Sequence, residues 1–244
     1  FRHEMYPEYK GTRKPMQKEL RQQVPVIKEI LKAMDVCIVE QPGIEADDLL
    51  GTMAVRSQNE GMDTVILSGD KDLLQLATDK IIIRQPKTVR GQTTVEDYNA
   101  DKVYEKFHIT PAQIVDLKGL QGDTSDNIPG VPGIGEKGAT NIINQFGSVE
   151  NAIEHVEEVT PNRARQNLMK YKEQALLSKD LATIRTDCKI EATFDQCVHG
   201  DMFTKEAFDL MQKMEFKNIM SKFEQDYTID SNIEESFYTI TDRS

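Results

Sequence analysis

The sequence has no tryptophan and only three cysteines and four histidines among 244 residues. It nowhere approaches the run of roughly 20 apolar residues that a helix needs to cross a bilayer. That last absence argues against a membrane-spanning helix, and the opening Phe1-Arg2-His3-Glu4 does not read as a signal peptide. A soluble, cytoplasmic, monomeric protein with no membrane partner is expected. Cys37, Cys188 and Cys197 are odd in number, far apart and without zinc-ligand spacing, so the expectation is buried or idle thiols, with neither a disulfide framework nor a zinc site. Positive charge is scarce as well: 30 Lys and Arg stand against 41 Asp and Glu, a net charge of −11. Taken alone, that balance opposes a nucleic-acid partner, because phosphate binding relies on Lys and Arg. Its distribution weakens the objection, since residues 1–32 carry eight bases (Arg2, Lys10, Arg13, Lys14, Lys18, Arg21, Lys28, Lys32) and four acids. A basic head precedes an acidic body, although a solvated helix face would give the same count.

What is present fits one sizeable core with a helical appendage. Residues 14–34 place Leu20, Val24, Ile27, Ile30 and Leu31 at helical spacing, with Pro25 expected to divide them into two helical pieces. Val36-Cys37-Ile38-Val39 reads as a buried strand, followed by the turn Gln41-Pro42-Gly43 and an amphipathic helix over 45–59. Thr64-Val65-Ile66-Leu67 reads as the next strand, 71–77 as a short helix and Lys80-Ile81-Ile82-Ile83 as a third strand, an alternation that predicts a parallel sheet. Beyond Thr94 the pattern predicts helices over 95–107, 111–120, 135–146, 149–159 and 161–177. Glu224, Asp226, Asp230, Glu234 and Glu235, with no base among them, read as a linker, and Phe237-Tyr238-Thr239-Ile240 as a strand opening a further domain. The expected division is an α/β core over 1–110, a helical subdomain over 111–223 and an acidic linker over 224–244.

Three acidic clusters carry the chemistry. Glu45-Ala46-Asp47-Asp48 opens a helix, Ser68-Gly69-Asp70-Lys71-Asp72 follows a strand, and Gly122-Asp123-Thr124-Ser125-Asp126-Asn127 forms a third loop. Parallel βαβ geometry would bring the first two to the carboxyl edge of the sheet, where ligands bind. Glu45 and Asp48, three apart, are expected to share a helix face while Asp47 projects elsewhere. Each cluster alone is equally explained by capping of helix N–H groups or by an Asx turn. Together, seven carboxylates at one edge would repel one another unless cations neutralised them. An all-oxygen set without His or Cys suits Mg²⁺ or Mn²⁺, and a pair of such ions would serve phosphodiester hydrolysis.

Ile128-Pro129-Gly130-Val131-Pro132-Gly133-Ile134-Gly135-Glu136-Lys137 leads into a helix whose first N–H groups could receive a phosphate beside Lys137. A tight structural turn is the alternative. In the basic head, Arg2, Tyr6, Tyr9, Lys10, Arg13 and Lys14 interleave cations with aromatics, which suits gripping a phosphate and stacking an unpaired base; simple packing of the two tyrosines is the alternative.

These residues, together with Phe1-Arg2-His3-Glu4 and Tyr9-Lys10-Gly11-Thr12-Arg13, resemble in order and spacing the 5′ nuclease domain of bacterial DNA polymerase I over about residues 1–225. The resemblance implies a PIN-like parallel sheet with flanking helices plus a helix-hairpin-helix (H3TH-type) subdomain. It implies a 5′-3′ exonuclease and flap endonuclease acting on DNA with 5′ flaps, nicks or RNA primers in replication and repair, covalently linked to polymerase domains. By motif, Glu45, Asp47, Asp48 and Asp70 would surround one metal ion, and Asp72, Asp123 and Asp126 a second. Arg2, Lys10 and Arg13 would arch over the 5′ strand and contact phosphates at the cut, with Tyr6, Tyr9 and Lys14 nearby. Gly130, Val131, Gly133, Ile134, Gly135 and Lys137 would hold duplex backbone with a bound K⁺. In that family a strand ending in Asp-Gly-Asn and another ending in Asp precede the position of Phe1, and both aspartates help hold metal. The expectation is that this chain starts after them and is catalytically deficient alone. A non-catalytic flap-binding or fork-binding module is the alternative, and a ribonuclease of the wider PIN-like group a weaker one.

Overall fold

The computed structural model describes residues 1–223; the expected linker over 224–244 and the strand over 237–240 lie outside the described residues. In chain order the helices are α1 (Arg2–Met5), α2 (Lys18–Ala33), α3 (Ala46–Asn59), α4 (Ala100–Phe107), α5 (Ile114–Gln121), α6 (Glu136–Phe146), α7 (Val149–Glu154), α8 (Asn162–Lys170), α9 (Lys172–Ala182), α10 (Lys205–Lys213) and α11 (Lys217–Met220). The strands are β1 (Thr64–Leu67), β2 (Ile81–Val89) and β3 (Gln92–Tyr98). No helix among the described residues is long and apolar enough to cross a membrane. The chain divides into two units, one of residues 1–15 and 40–190, the other of 16–39 and the residues from 191 onward.

In the first unit β1 pairs with β2 in parallel, Thr64 opposite Ile81 and Leu67 opposite Arg84, as the alternation of strand and helix predicts. The sheet is nevertheless mixed, because β2 turns back through Arg90-Gly91 and pairs antiparallel with β3, from Val89↔Gln92 to Ile83↔Tyr98. Arg90 and Gly91 both have positive φ, 52° and 80°, the geometry of a two-residue hairpin turn. The helix expected from Val95 is therefore strand up to Tyr98 and helix only from Ala100, capped by the Asn99 side chain, which accepts from the Lys102 N–H. Val36-Cys37-Ile38-Val39 is not a strand: no ladder in the described residues reaches it, and β propensity without a partner leaves the backbone groups unpaired. Residues 71–77 wind as a 3₁₀ helix, Asp72–Leu76, which buries Leu73, Leu74 and Leu76.

One core runs through this unit, from Ile66, Ile81, Ile83 and Tyr98 of the sheet, through Leu73 and Leu74, to Leu120, Ile143, Val149 and Leu168 of the helices. A smaller cluster, Tyr9 with Ile128, Leu181 and Ala182, fastens the basic head to the loop after α5 and the end of α9. In the second unit Ile30 of α2 packs with Ala207, Phe208 and Met211 of α10 and with Phe223. There α2 is one continuous helix through Pro25, not two pieces. Pro25 lies on the exposed face, where the carbonyl that loses its N–H partner can turn to water.

Candidate active site

The loops after α5 and around α3 bring the three acidic clusters together. Gly122 and Gly130, with φ of 74° and 58°, let two backbone stretches cross; a Cβ on Gly130 would stand 2.2 Å from the Gly122 nitrogen. Across that crossing, Asp123 and Ile128 exchange N–H···O=C bonds of 2.8 and 2.7 Å, and Val131 N–H donates to the Leu120 carbonyl at 2.7 Å. The loop carrying Asp123 and Asp126 is thereby set against the basic head and α5.

Glu45, Asp47, Asp72 and Asp126 line one small cavity of about 20 Å³ together with Arg2 and Tyr9. Asp70 and Asp123 flank it, close enough for their charges to act on Asp47 and Asp72. Glu45 and Asp48 both face Arg2, whose Nη1 lies 3.8 Å from Glu45 and 2.7 Å from Asp48. Glu45 is the N-cap, its carbonyl accepting the Leu49 N–H at 3.1 Å, and its side chain also joins Asp47 at the cavity. Asp48 turns away and is 1% exposed.

Asp48 is held by Arg2, whose Nη1 and Nη2 donate to its two oxygens at 2.7 and 2.8 Å, and by the Arg185 N–H at 2.8 Å. The same guanidinium donates to the carbonyls of Leu181 (2.9 Å) and Thr183 (2.6 Å). Arg2 is itself 4% exposed and spends four hydrogen bonds inside the protein. It therefore ties α1 to α3 and the end of α9 and leaves Asp48 no oxygen free of a donor. Burial pushes the Asp48 carboxyl up, but the bonds from Arg2 and Arg185 outweigh it and hold Asp48 below the usual carboxylate range.

Other cations of the chain neutralise most of the remaining carboxylates. Lys10 Nζ lies 2.5 Å from Glu45 and 3.7 Å from Asp126, and Arg13 also pairs with Asp126. Lys118, on α5, bridges Asp72 at 2.7 Å and Asp123. Burial drives Asp72 up despite Lys118, whereas at Asp123 the bonds from Lys118 and Ser125 overcome burial and lower it. Asp47 is the exception. Its side chain has no hydrogen bond or ion pair among the described residues, and burial followed by the charge of Asp70 raises its pKa. Asp70 is exposed, with one oxygen accepting the Asp72 N–H at 2.9 Å. No three of these carboxylates, among the described residues, converge into a finished ion cage. The donor set still fits a hard divalent cation: its carboxylate donors are all oxygen, Asp47 has no bonded counter-cation and feels, of the cations, only the charge of nearby Lys10, and neither His nor Cys lines the cavity.

In the basic head, the Tyr9 hydroxyl lies 3.3 Å from Glu45 and 3.2 Å from Asp126, and the residue is 2% exposed, so it packs and cannot stack on a base. Burial, then the two carboxylate charges, push its hydroxyl far up and keep it a donor. Tyr6 is half-buried against the same cluster, with its hydroxyl donating to Glu8 at 3.0 Å, and Lys14 is exposed. Of the hairpin, Gly130, Val131 and Ile134 are buried, and the N–H groups of Gly130 and Val131 are spent on Ser178 and Leu120. Gly130 and Val131 shape the turn. Gly133, Ile134, Gly135 and Lys137 line an open cavity of about 440 Å³ at the N-terminus of α6, faced by Arg163 of α8. Asn167 braces it, donating to the Pro132 carbonyl at 2.7 Å. Sequence reading missed Lys118 and Arg163. Lys118 is a lone lysine five residues before Asp123 in a helical stretch, a weak signal, and Arg163 carries none.

Residues 1–108 match the family described as 5′-3′ exonuclease, N-terminal resolvase-like domain, and residues 109–206 the 5′-3′ exonuclease, C-terminal SAM fold. The chain is 42% identical over 224 residues to DNA polymerase I of Bacillus caldotenax, covering 92% of this chain and 25% of that protein. It thus spans about a quarter of the length of the curated relatives it matches. Among solved structures, T5 5′-exonuclease with bound divalent zinc ions superposes with a TM-score of 0.65 at 28% identity, covering 87% of this chain and 79% of that one. The bacteriophage T5 D15 flap endonuclease, in a complex with DNA and metal ions, gives 0.64 at 28% identity over 88% and 79%. The fold is accordingly a resolvase-like, PIN-type domain followed by a SAM-type helical one, and with both domains matched in succession the chain belongs to the 5′-3′ exonuclease family.

Proposed function

We propose that the chain is the 5′ nuclease portion of a DNA polymerase I, hydrolysing phosphodiesters at 5′ flaps, nicks and RNA primers. The supporting observation is the meeting of three sequence-distant acidic clusters at one cavity, with Asp47 left without an ion pair. In this reading residues 1–110 form the catalytic core, 111–223 the DNA-holding subdomain and 224–244 a linker. Asp47 and Asp70 with Glu45 would hold one divalent ion, Mg²⁺ or Mn²⁺, and Asp72, Asp123 and Asp126 a second. Ions bound there would supply a more acidic attacking water and neutralise charge on the leaving oxygen. The residues' own part is to hold substrate and cations. Lys10, Arg13 and Lys118 balance the carboxylates until metal ions do so, and Lys10 and Arg13 then become free to contact the strand. Gly133, Gly135 and Lys137 would receive duplex phosphates on the N-terminus of α6, the place a K⁺ ion would share.

The test is cleavage of a labelled 5′ flap in Mg²⁺ and in Mn²⁺. Joint replacement Asp47→Asn and Asp70→Asn is expected to lower the rate by about 10²–10³-fold or more, the range for losing a group that stabilises transition-state charge. An undiminished rate in the double variant would remove these residues from the metal site.

A second reading, a flap-binding module that does not cut, is favoured by the Lys and Arg side chains that already neutralise Glu45, Asp72, Asp123 and Asp126. Tight flap binding with no cleavage in either metal would establish it. Both readings require the hairpin. Lys137→Ala is expected to weaken duplex binding evenly across sequences and to reduce the slope of log affinity against log salt by about 1. An unchanged slope would move the phosphate contact elsewhere.

A further inference from the structure

None of the three cysteines is fully buried: Cys37 is exposed, and Cys188 and Cys197 are partly covered. Two of them, distant in sequence, come together within the second unit. Cys37 follows α2, and Cys197 closes a short 3₁₀ turn, Asp195–Cys197. Their two stretches run past each other in opposite directions. Thr204 Oγ1 donates to the Ala33 carbonyl at 2.7 Å, and Gly200 N–H donates to Asp35 Oδ2 at 2.7 Å. Continuing the same approach, Cys37 and Cys197 lie on the facing stretches, close enough for one thiol to act on the other. Cys37, and then burial, push Cys197 up to about 11, so it stays protonated at neutral pH while exposed Cys37 is the thiol a reagent meets first.

We propose that Cys37 and Cys197 are a redox pair that closes reversibly into a disulfide when the protein meets a peroxide, clamping the segment after α2 onto the 195–197 turn. The Cys37 thiolate attacks one peroxide oxygen, the O–O bond breaks, and one water is released as Cys37 becomes a sulfenic acid. The Cys197 sulfur then attacks the Cys37 sulfur, the S–O bond breaks, and the Cys197 proton leaves with the hydroxyl as a second water. Two thiols and one hydrogen peroxide thus give one disulfide and two waters, with two electrons passing from sulfur to oxygen. A small dithiol restores both thiols by exchange.

The chain's own contacts supply the reason for the pairing. The Ala33 and Asp35 ties hold the two stretches side by side whether or not the sulfurs are bonded. Cys188 belongs to the other unit, where its N–H donates to Thr52 Oγ1 at 3.2 Å, and it serves as the internal control.

The experiment treats the protein with near-stoichiometric hydrogen peroxide, alkylates it and maps peptides without reduction. The expected product is a linked Cys37–Cys197 peptide pair, two hydrogens lighter than its parts, with Cys188 alkylated and both thiols recovered by dithiothreitol. Cys37→Ser should abolish the link and Cys188→Ser should leave it intact. Oxidised protein should also lose α2 to trypsin several-fold more slowly than reduced protein. A sulfinic acid on Cys37 with Cys197 still alkylated, a bridge through Cys188 or between molecules, or equal digestion rates would each overturn the proposal.

Discussion

Arg2→Met is expected to destabilise the folded protein by roughly 3–5 kcal/mol, the range for breaking a buried pair by removing one partner. The methionine keeps much of the volume but leaves Asp48, 1% exposed, with an uncompensated charge, and strips donors from the Leu181 and Thr183 carbonyls. Denaturant titration would show a lower midpoint at unchanged slope. Adding Asp48→Leu should recover part of the loss, since the stranded charge goes with it, and the double-mutant cycle would then report coupling between the two residues. A single-variant loss under about 1 kcal/mol, as for an exposed salt bridge, would mean that the pair is far better hydrated than its burial indicates. The pair also sets a pH dependence. Asp48 is depressed in the folded protein, so its contribution is fully present above the ordinary carboxylate range and is lost as pH falls through the depressed value. Arg2→Met should flatten that acid limb.

Gly130→Ala should cost about 2–5 kcal/mol, adding the penalty of about 1–2 kcal/mol for a left-handed conformation to an overpacking penalty of about 1–3 kcal/mol. The added methyl would meet the Gly122 nitrogen at 2.2 Å, the Gln121 carbonyl carbon at 2.5 Å and the Gly122 Cα at 2.6 Å, all backbone atoms that cannot swing aside. The same push would part the Asp123–Ile128 bridge and move Asp126 from Tyr9 and Arg13. Loss of stability should therefore come with loss of flap cleavage. Gly135→Ala is the matched control: nothing lies within 4 Å of its Cβ position and its φ is −92°. Thermal unfolding of that variant should stay within about 0.5 kcal/mol of the parent, so any change in DNA affinity would report on the hairpin surface alone. A stable, active Gly130→Ala would show that the crossing can relax.

The parts of the fold that were legible in sequence are those governed by local pattern. Thr64–Leu67 as a strand, Ala46–Asn59 as a helix and the helical texture after Pro111 follow from periodicity and from the Gly and Pro residues that punctuate it. The β2–β3 hairpin was not legible, because Arg90-Gly91 carries a weaker turn signal than Asn-Gly and Val95 fits a helix face as well as a strand. The tract Val36-Cys37-Ile38-Val39 has strand composition, but a strand exists only where a neighbour accepts its hydrogen bonds.

At the candidate site the amino-acid order alone determined which residue types are available: seven carboxylates in three groups, a glycine-rich turn before a helix, and cations at the front. It also determined the family, through the order and spacing of those groups. Only the tertiary structure decided what each one meets. Asp47 and Asp48 are adjacent in sequence, yet one lies without an ion pair at the cavity and the other is locked to Arg2, because successive helix positions point about 100° apart. Lys118, Arg163 and the facing of Cys37 with Cys197 were set the same way. Charge balance and thiol chemistry depend on distances of a few ångströms between residues far apart in the chain, and local spacing carries no record of those distances.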